Sequence, residues 1–256
     1  METYSKVFAE VYDTYWTGFA KNFAPPIFAL FEERLGGDEK HLLDLGCGTG
    51  TLSRHFLERG YQVTAIDQSD AMLDRARLNC RGASAPGKQR FVAEDLASLA
   101  PVDPPADCAV SLFDTLNHLP DGEALESVVS TVAASLRPGG VFVFDLNTRR
   151  GLARWNGINY VEESQAVFIN RGVYQEGMVR AATRITGFVR RRGRLFERFE
   201  EVFYNTVFEM ETVRDLLNAA GFDDVLLAGG GDLKTALPIP EDAGRVFFVA
   251  QKGSGA

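Results

Sequence analysis

The sequence predicts an α/β fold, a doubly wound and mostly parallel sheet with helices on both faces. Three observations predict it. Leu42-Leu43-Asp44-Leu45 runs straight into Gly46-Cys47-Gly48-Thr49-Gly50, and a helical pattern starts at Thr51. That order reads as a buried strand, a tight turn and a helix N-terminus. Strand and helix patterns then alternate as far as Asp145, which suits parallel strands because each crossover needs a helix. Finally, two more strand segments close the chain, Asp224–Leu227 and Arg245–Ala250, which brings the expected sheet to seven strands.

The elements follow in order. Phe8, Tyr12, Tyr15 and Phe19 recur at spacings of three and four, one face of a helix. Pro25-Pro26 interrupts the pattern, and Pro26 opens a second helix through Arg34 that Gly36-Gly37 ends. This aromatic stripe packs on the core or covers a ligand, with one or two tyrosines turned inward. After the glycine run, Tyr61–Asp67 is a second strand ending in an acid, and Arg90–Val92 a third, followed by Glu94 and Asp95. Asp107–Leu112 is a fourth strand that leaves into the loop Phe113–Leu119. Pro138-Gly139-Gly140 turns into the fifth, Val141–Asp145.

The next helix is delayed until about Thr212–Gly221. The residues between carry β patterning in Gln165–Ile169, Met178–Val189 and Leu195–Tyr204, which reads as three antiparallel strands. A structureless loop of that length would be unusual in a compact domain. The chain therefore divides into residues 1–37, an N-terminal helical lid; 38–149 with 209–252, the ligand-binding core; and 150–208, a small antiparallel β insertion after strand 5, a substrate flap.

Composition narrows the function. A chain of 256 residues, 45% hydrophobic and 24% charged, fits one soluble globular unit. Its net charge of −8 argues against a nucleic-acid partner. No apolar run reaches the ~20 residues that span a bilayer. Cys47, Cys80 and Cys108 are odd in number and unpaired in spacing, as free thiols would be. With no signal-peptide pattern at its start, the chain is expected to be cytoplasmic, a monomer or homodimer. His41, His55 and His118 are scattered, so no metal site is expected.

The glycine spacing speaks to the ligand. Dinucleotide sites favour Gly-x-Gly-x-x-Gly over a pyrophosphate. Here Asp44 precedes Gly-x-Gly-x-Gly, and a carboxylate repels a pyrophosphate but attracts an ammonium group. An acid placed like Asp67 hydrogen-bonds a ribose in doubly wound folds. A ribose with a cationic amine and no phosphate describes S-adenosylmethionine.

These residues resemble the class I S-adenosylmethionine-dependent methyltransferases of small-molecule type. Asp44–Gly50 is similar to motif I, Ala65–Leu73 to motif II, and Asp107–Leu119 to motif IV. The resemblance is close over Leu42–Asp145. It implies that the last two strands form an antiparallel hairpin. It also implies S-adenosylmethionine contacts from Asp44, Gly46, Cys47, Gly48, Thr49 and Gly50; from Asp67, Gln68 and Met72; from Glu94, Asp95 and Leu96; and from Phe113 and Asp114. S-adenosylhomocysteine is then the product. Methyl transfer from a sulfonium needs positioning, exclusion of water and, for some acceptors, a base. His118 and Asn117 stand in the loop that faces the methyl group in this fold, and Tyr12 and Tyr15 could add hydroxyls from the lid. The arginines of the insertion either solvate a sheet face or receive an anion. Arg180 and Arg184 share a face and, with Trp16, are the candidate substrate contacts. The expected reaction moves a methyl group to a nitrogen or oxygen of a small, on the second arginine reading anionic, molecule. The alternative is a non-catalytic protein that binds S-adenosylmethionine or S-adenosylhomocysteine as a regulator.

Overall fold

The computed structural model describes residues 4–37 and 40–254. Helix α1 spans Lys6–Tyr15, and the Ser5 hydroxyl caps it by accepting from the Phe8 amide at 3.2 Å. Helix α2 runs unbroken from Gly18 to Arg34 with Pro25 and Pro26 inside it. The expected break at the prolines lies instead at Trp16-Thr17. Buried Ala24, Ile27, Leu30 and Phe31 flank the prolines on both sides, so packing outweighs the two missing backbone donors.

The core strands are β1 (His41–Leu45), β2 (Gln62–Asp67), β3 (Gln89–Ala93), β4 (Ala106–Ser111) and β5 (Leu136–Asn147). They alternate with α3 (Thr51–Leu57), α4 (Asp70–Asn79) and α5 (Gly122–Ser135). A short helix α6 (Arg149–Ala153) leads into a separate four-stranded antiparallel sheet. Its strands are β6 (Gly157–Glu163), β7 (Ala166–Val173), β8 (Arg180–Arg190) and β9 (Phe196–Thr206). Helix α7 (Met210–Ala219) returns the chain to the core through β10 (Phe222–Gly229), β11 (Asp232–Ala236) and β12 (Arg245–Lys252).

The large sheet has the order β11-β10-β12-β5-β4-β1-β2-β3. β12 is antiparallel to both β5 and β10. The sheet thus has eight strands where seven were expected. The eighth, β11, is an edge strand in which only Leu233 is buried, too polar to announce itself. The small sheet has four strands instead of three. β6 escaped because only Val161 along it is even half-buried, so its alternation has no apolar face to mark it. Two hydrophobic clusters cover the two faces of the large sheet, one built on α5 and α7, the other on α2 and α3. A third joins α1 to the small sheet through Phe8, Phe168 and Phe199.

Candidate active site

A cavity of about 620 Å³ lies where β1, β2 and β4 end, roofed by α1 and walled by the small sheet. Open α/β sheets place ligands at this position.

The glycine loop forms its floor. Gly46, Gly48 and Gly50 have φ of 69°, 55° and 78°, a conformation other residues resist. Each does a different job. A Cβ on Gly46 would overlap the Thr115 side chain, and one on Gly48 would sit 3.6 Å from the Tyr12 ring, under the roof of the cavity. Gly50 faces the other way, where a Cβ would stand 3.0 Å from Ala76 of α4 and 3.2 Å from the Cys80 sulfur. Gly46 and Gly48 line the cavity; Cys47, Thr49 and Gly50 do not. The Thr49 carbonyl accepts from Asn79 of α4 at 2.9 Å, and Cys47 is buried with its thiol pushed well up by that burial. The third glycine and its neighbours fasten the loop to α4.

Asp44 is also turned away from the cavity. It is buried beneath the loop and accepts from the Ser53 hydroxyl of α3 at 2.5 Å. Burial, opposed by that hydrogen bond, pushes its carboxyl up to about 7. Asp44, expected to meet an ammonium group, is not among the residues that line the cavity; it braces β1 against α3.

Asp67 closes β2 and lines the cavity. Its Oδ2 accepts from the Gly48 amide and its Oδ1 from the Ser69 amide, both at 2.9 Å. Burial raises its carboxyl above the usual range, and the two amides oppose that. Each oxygen keeps further acceptor capacity, which suits the two hydroxyl donors of a ribose diol. Gln68 and Met72 continue this wall, and Asp95 and Leu96 extend it from the end of the neighbouring β3. Asp95 spends Oδ1 on the Ala97 amide at 3.0 Å and keeps its second oxygen. Glu94 is exposed and absent from the lining, because β3 ends on the sheet edge and the turn brings Asp95 inward.

The loop after β4 forms the far wall with Phe113, Asp114, Thr115 and His118. Asn117, expected to touch substrate, is fully buried. Its Oδ1 accepts from the Asn147 amide at 2.8 Å and its Nδ2 donates to the Thr206 carbonyl at 2.9 Å. It ties this loop to β5 and β9, with no polar atom spare for a ligand.

From the roof, Tyr12 and Trp16 reach the cavity, joined by Tyr4 and Phe8. Burial, with help from nearby carboxylates, raises the Tyr12 phenol, which stays protonated. Tyr15 turns outward onto Phe168, ring centroids 5.3 Å apart, and does not line the cavity. Arg180 and Arg184 share a face, as their parity predicts, but it is the outer face. Thr183 and Ile185, on the opposite face of β8, are the ones that line the cavity. Arg184 pairs with Glu200 at 2.5 Å, and Arg180 lies 5.0 Å from the Tyr204 ring.

Sequence reasoning missed several wall residues. Trp155, Asn159, Asn170, Phe203 and Asn205 come from the small sheet and its approach, where strand parity is legible but the direction of each face is not. It also missed Arg245, which bridges Asp145 and Asp114 behind the wall.

A glycine-floored pocket at the strand ends, with the buried carboxyl of Asp67 on its wall, has room and acceptors for S-adenosylmethionine in an α/β protein of this topology. Residues 42–140 match the family described as "Methyltransferase domain". The ubiquinone biosynthesis O-methyltransferase of Chromobacterium violaceum is 31% identical over 180 residues, 69% of this chain and 73% of that relative. An S-adenosylmethionine-dependent methyltransferase from Clostridium acetobutylicum superposes with a TM-score of 0.80 at 22% identity, covering 96% of this chain and 98% of that one. The sugar N-methyltransferase KedS8 from Streptoalloteichus follows at 0.73 and 22%, covering 99% and 97%. The chain belongs to the class I S-adenosylmethionine-dependent methyltransferases of small-molecule type. It is an enzyme, with S-adenosylmethionine as cofactor.

Proposed function

We propose that the protein moves a methyl group to an amine nitrogen or hydroxyl oxygen of a small molecule held between the β4 loop, the α1 roof and the small sheet, with His118 accepting the acceptor's proton. His118 carries this reading. Its Nδ1 lies 3.0 Å from the Tyr204 carbonyl oxygen, which can only accept. The proton of the neutral ring therefore stays on Nδ1, and Nε2 offers a lone pair from a ring on the cavity wall.

S-adenosylmethionine supplies a methyl carbon already activated by a positive sulfur, so placement matters more than activation. Asp67 and Asp95 are suited to its ribose and adenine, and Gly46, Gly48, Gln68, Met72, Leu96 and Phe113 to its remaining surface. Trp16, Trp155 and Phe203 would exclude water on the acceptor side. Asn159, Asn170 and Thr183 bring polar side chains to the small-sheet side of the cavity. Among the described residues, Arg154 is the one lysine or arginine lining the cavity. It, in place of Arg180 and Arg184, supports an anionic group on the acceptor. A similar O-methyltransferase and a similar sugar N-methyltransferase support oxygen and nitrogen alike.

In this reading residues 150–208 serve as the substrate flap and 1–37 as the lid over the core of 38–149 and 209–252. The protein acts in the cytoplasm as a monomer or homodimer without a nucleic-acid partner. No helix among the described residues is long and apolar enough to cross a membrane.

The test is radiolabelled methyl uptake from panels of amines, phenols and sugar nucleotides, by wild type and His118→Ala. Removing a base is expected to lower kcat by about 100-fold or more while S-adenosylhomocysteine affinity holds. Equal rates in the variant would remove His118 from the chemistry.

A further inference from the structure

The wall of the cavity contains a turn that local sequence does not explain. Phe113 and Asp114 are the non-glycine residues with positive φ among those described, at 62° and 50°, and they are consecutive. Both amides donate to a single carboxylate. Phe113 N reaches Asp145 Oδ1 at 2.6 Å, and Asp114 N reaches Asp145 Oδ2 at 3.0 Å. Asp145 is fully buried near the end of β5, and burial pushes its carboxyl up to about 6 against the pull of Arg245.

Arg245, at the start of β12, completes the arrangement. Its Nη1 donates to Asp145 Oδ2, and its Nη2 donates to Asp114 Oδ1 at 2.7 Å. Its guanidinium lies 4.8 Å from the Phe19 ring of α2 and 5.7 Å from that of Phe113. The other oxygen of Asp114 accepts from Asn205 Nδ2 of β9 at 2.9 Å. One cation therefore touches β5, the β4 loop and α2, and reaches the small sheet through Asp114. Arg245 itself does not line the cavity.

We propose that Arg245 is the positioning residue of this wall: its fork holds the carboxyl groups of Asp145 and Asp114 together, which keeps the Phe113–Asp114 backbone left-handed and keeps Asn205 docked. Two neighbouring buried carboxylates without a cation repel, and one of them takes a proton. A protonated Asp145 accepts the two amides less well. Lysine keeps the charge but cannot serve both carboxylates with a planar fork. Thr115, the next residue, lies where a Cβ on Gly46 would go, so a shifted turn would disturb the glycine loop. This role holds whatever the acceptor is.

The experiment compares full-length wild type with Arg245→Met and Arg245→Lys. Two quantities are read below the melting temperature: deuterium exchange of residues 112–116 and 202–206, and the ratio of affinities for S-adenosylmethionine and S-adenosylhomocysteine. These ligands differ by one methyl group and its charge, so their ratio reports on the methyl end of the site. Arg245→Met is expected to raise exchange at Phe113 and Asp114 about tenfold or more, by freeing their acceptor. It is also expected to move the affinity ratio roughly threefold or more, with Arg245→Lys between the two. Adding Asp114→Asn to Arg245→Met removes one uncompensated charge and is expected to restore part of the protection. A merely structural arginine would lower the melting temperature and leave exchange and ratio at wild-type values, which overturns the proposal. Should Arg245→Met not fold, wild-type exchange in a folded Arg245→Lys overturns it equally.

Discussion

Asp67 shows how one residue joins the backbone to a ligand. Two amides hold its carboxylate, from Gly48 on the glycine loop and from Ser69 at the start of α4. On the proposed reading Asp67→Ala removes the ribose acceptor, and it frees the Gly48 and Ser69 amides. Calorimetry is expected to show S-adenosylhomocysteine binding weakened by about 10- to 100-fold, roughly 1.4–3 kcal/mol; unchanged affinity would place the ribose elsewhere. The glycines separate two kinds of damage. Gly46→Ala puts a methyl group into Thr115 on a left-handed backbone, and is expected to cost about 2 kcal/mol or more of stability. Changing Thr115 to Ser in the same chain removes the overlapping methyl and is expected to recover part of the loss in a thermal melt. Gly48→Ala carries the same left-handed strain but meets only ordinary contact with the Tyr12 ring, so it is expected to lower the melting temperature less than Gly46→Ala and to weaken cofactor affinity as well.

At the scale of elements, α1 and the small sheet stabilise each other. Phe8 stacks on Tyr4 at 5.1 Å and packs on Trp16 and Phe203 at 5.5 and 5.4 Å. Ser5 donates to Glu201 of β9 through both its amide and its hydroxyl, at 3.0 and 2.7 Å. Phe8→Ala is expected to cost roughly 3–5 kcal/mol in denaturant unfolding and to expose α1 to proteolysis before the core; a variant that melts and is cut like wild type would mean that the roof is held some other way. The β4 loop is the second joint. It meets β9 three times in succession, through His118 to the Tyr204 carbonyl, Asp114 to Asn205 and Asn117 to the Thr206 carbonyl. Asn117→Ala strands the Asn147 amide and the Thr206 carbonyl and is expected to cost about 2–4 kcal/mol.

Across the whole molecule, buried carboxyls bias stability with pH, Asp44 and Asp145 most clearly. Asp44 and Asp145 are pushed up to about 7 and about 6, in each case by burial first. The folded state then holds their protons more tightly than the unfolded chain, whose carboxyls titrate near 4. Their contribution is most favourable below that value and falls as pH rises from about 4 to 7, after which it is flat. Asp44→Asn keeps an acceptor for Ser53 and removes one of these titrating groups. Its stability relative to wild type is expected to improve by roughly 2–4 kcal/mol between pH 5 and pH 8 in urea unfolding. A difference that does not change with pH would mean that Asp44 titrates normally.

The sequence by itself determined the strand, turn and helix order from Leu42 to Asp145, the place of Asp67 at the end of β2 on the cavity wall, and the place of His118 in the loop that walls the cavity. Those features are local: a strand end, three glycines and an acid lie within one crossover, and their spacing encodes their geometry. Tertiary structure alone decided the rest. Strand parity placed Arg180 and Arg184 together, but only the docking of the small sheet on α1 showed that Thr183 and Ile185 face inward. The prolines of α2 read as a stop because no local term reveals the burial on either side of them. Asn117 read as a substrate contact because its partners lie 30 and 89 positions away. Arg245, separated from Asp145 by 100 positions and from Asp114 by 131, carried no signal at all. Contacts at that range depend on how β5, β12 and the β4 loop pack, and packing is a property of the folded whole rather than of any window along the chain.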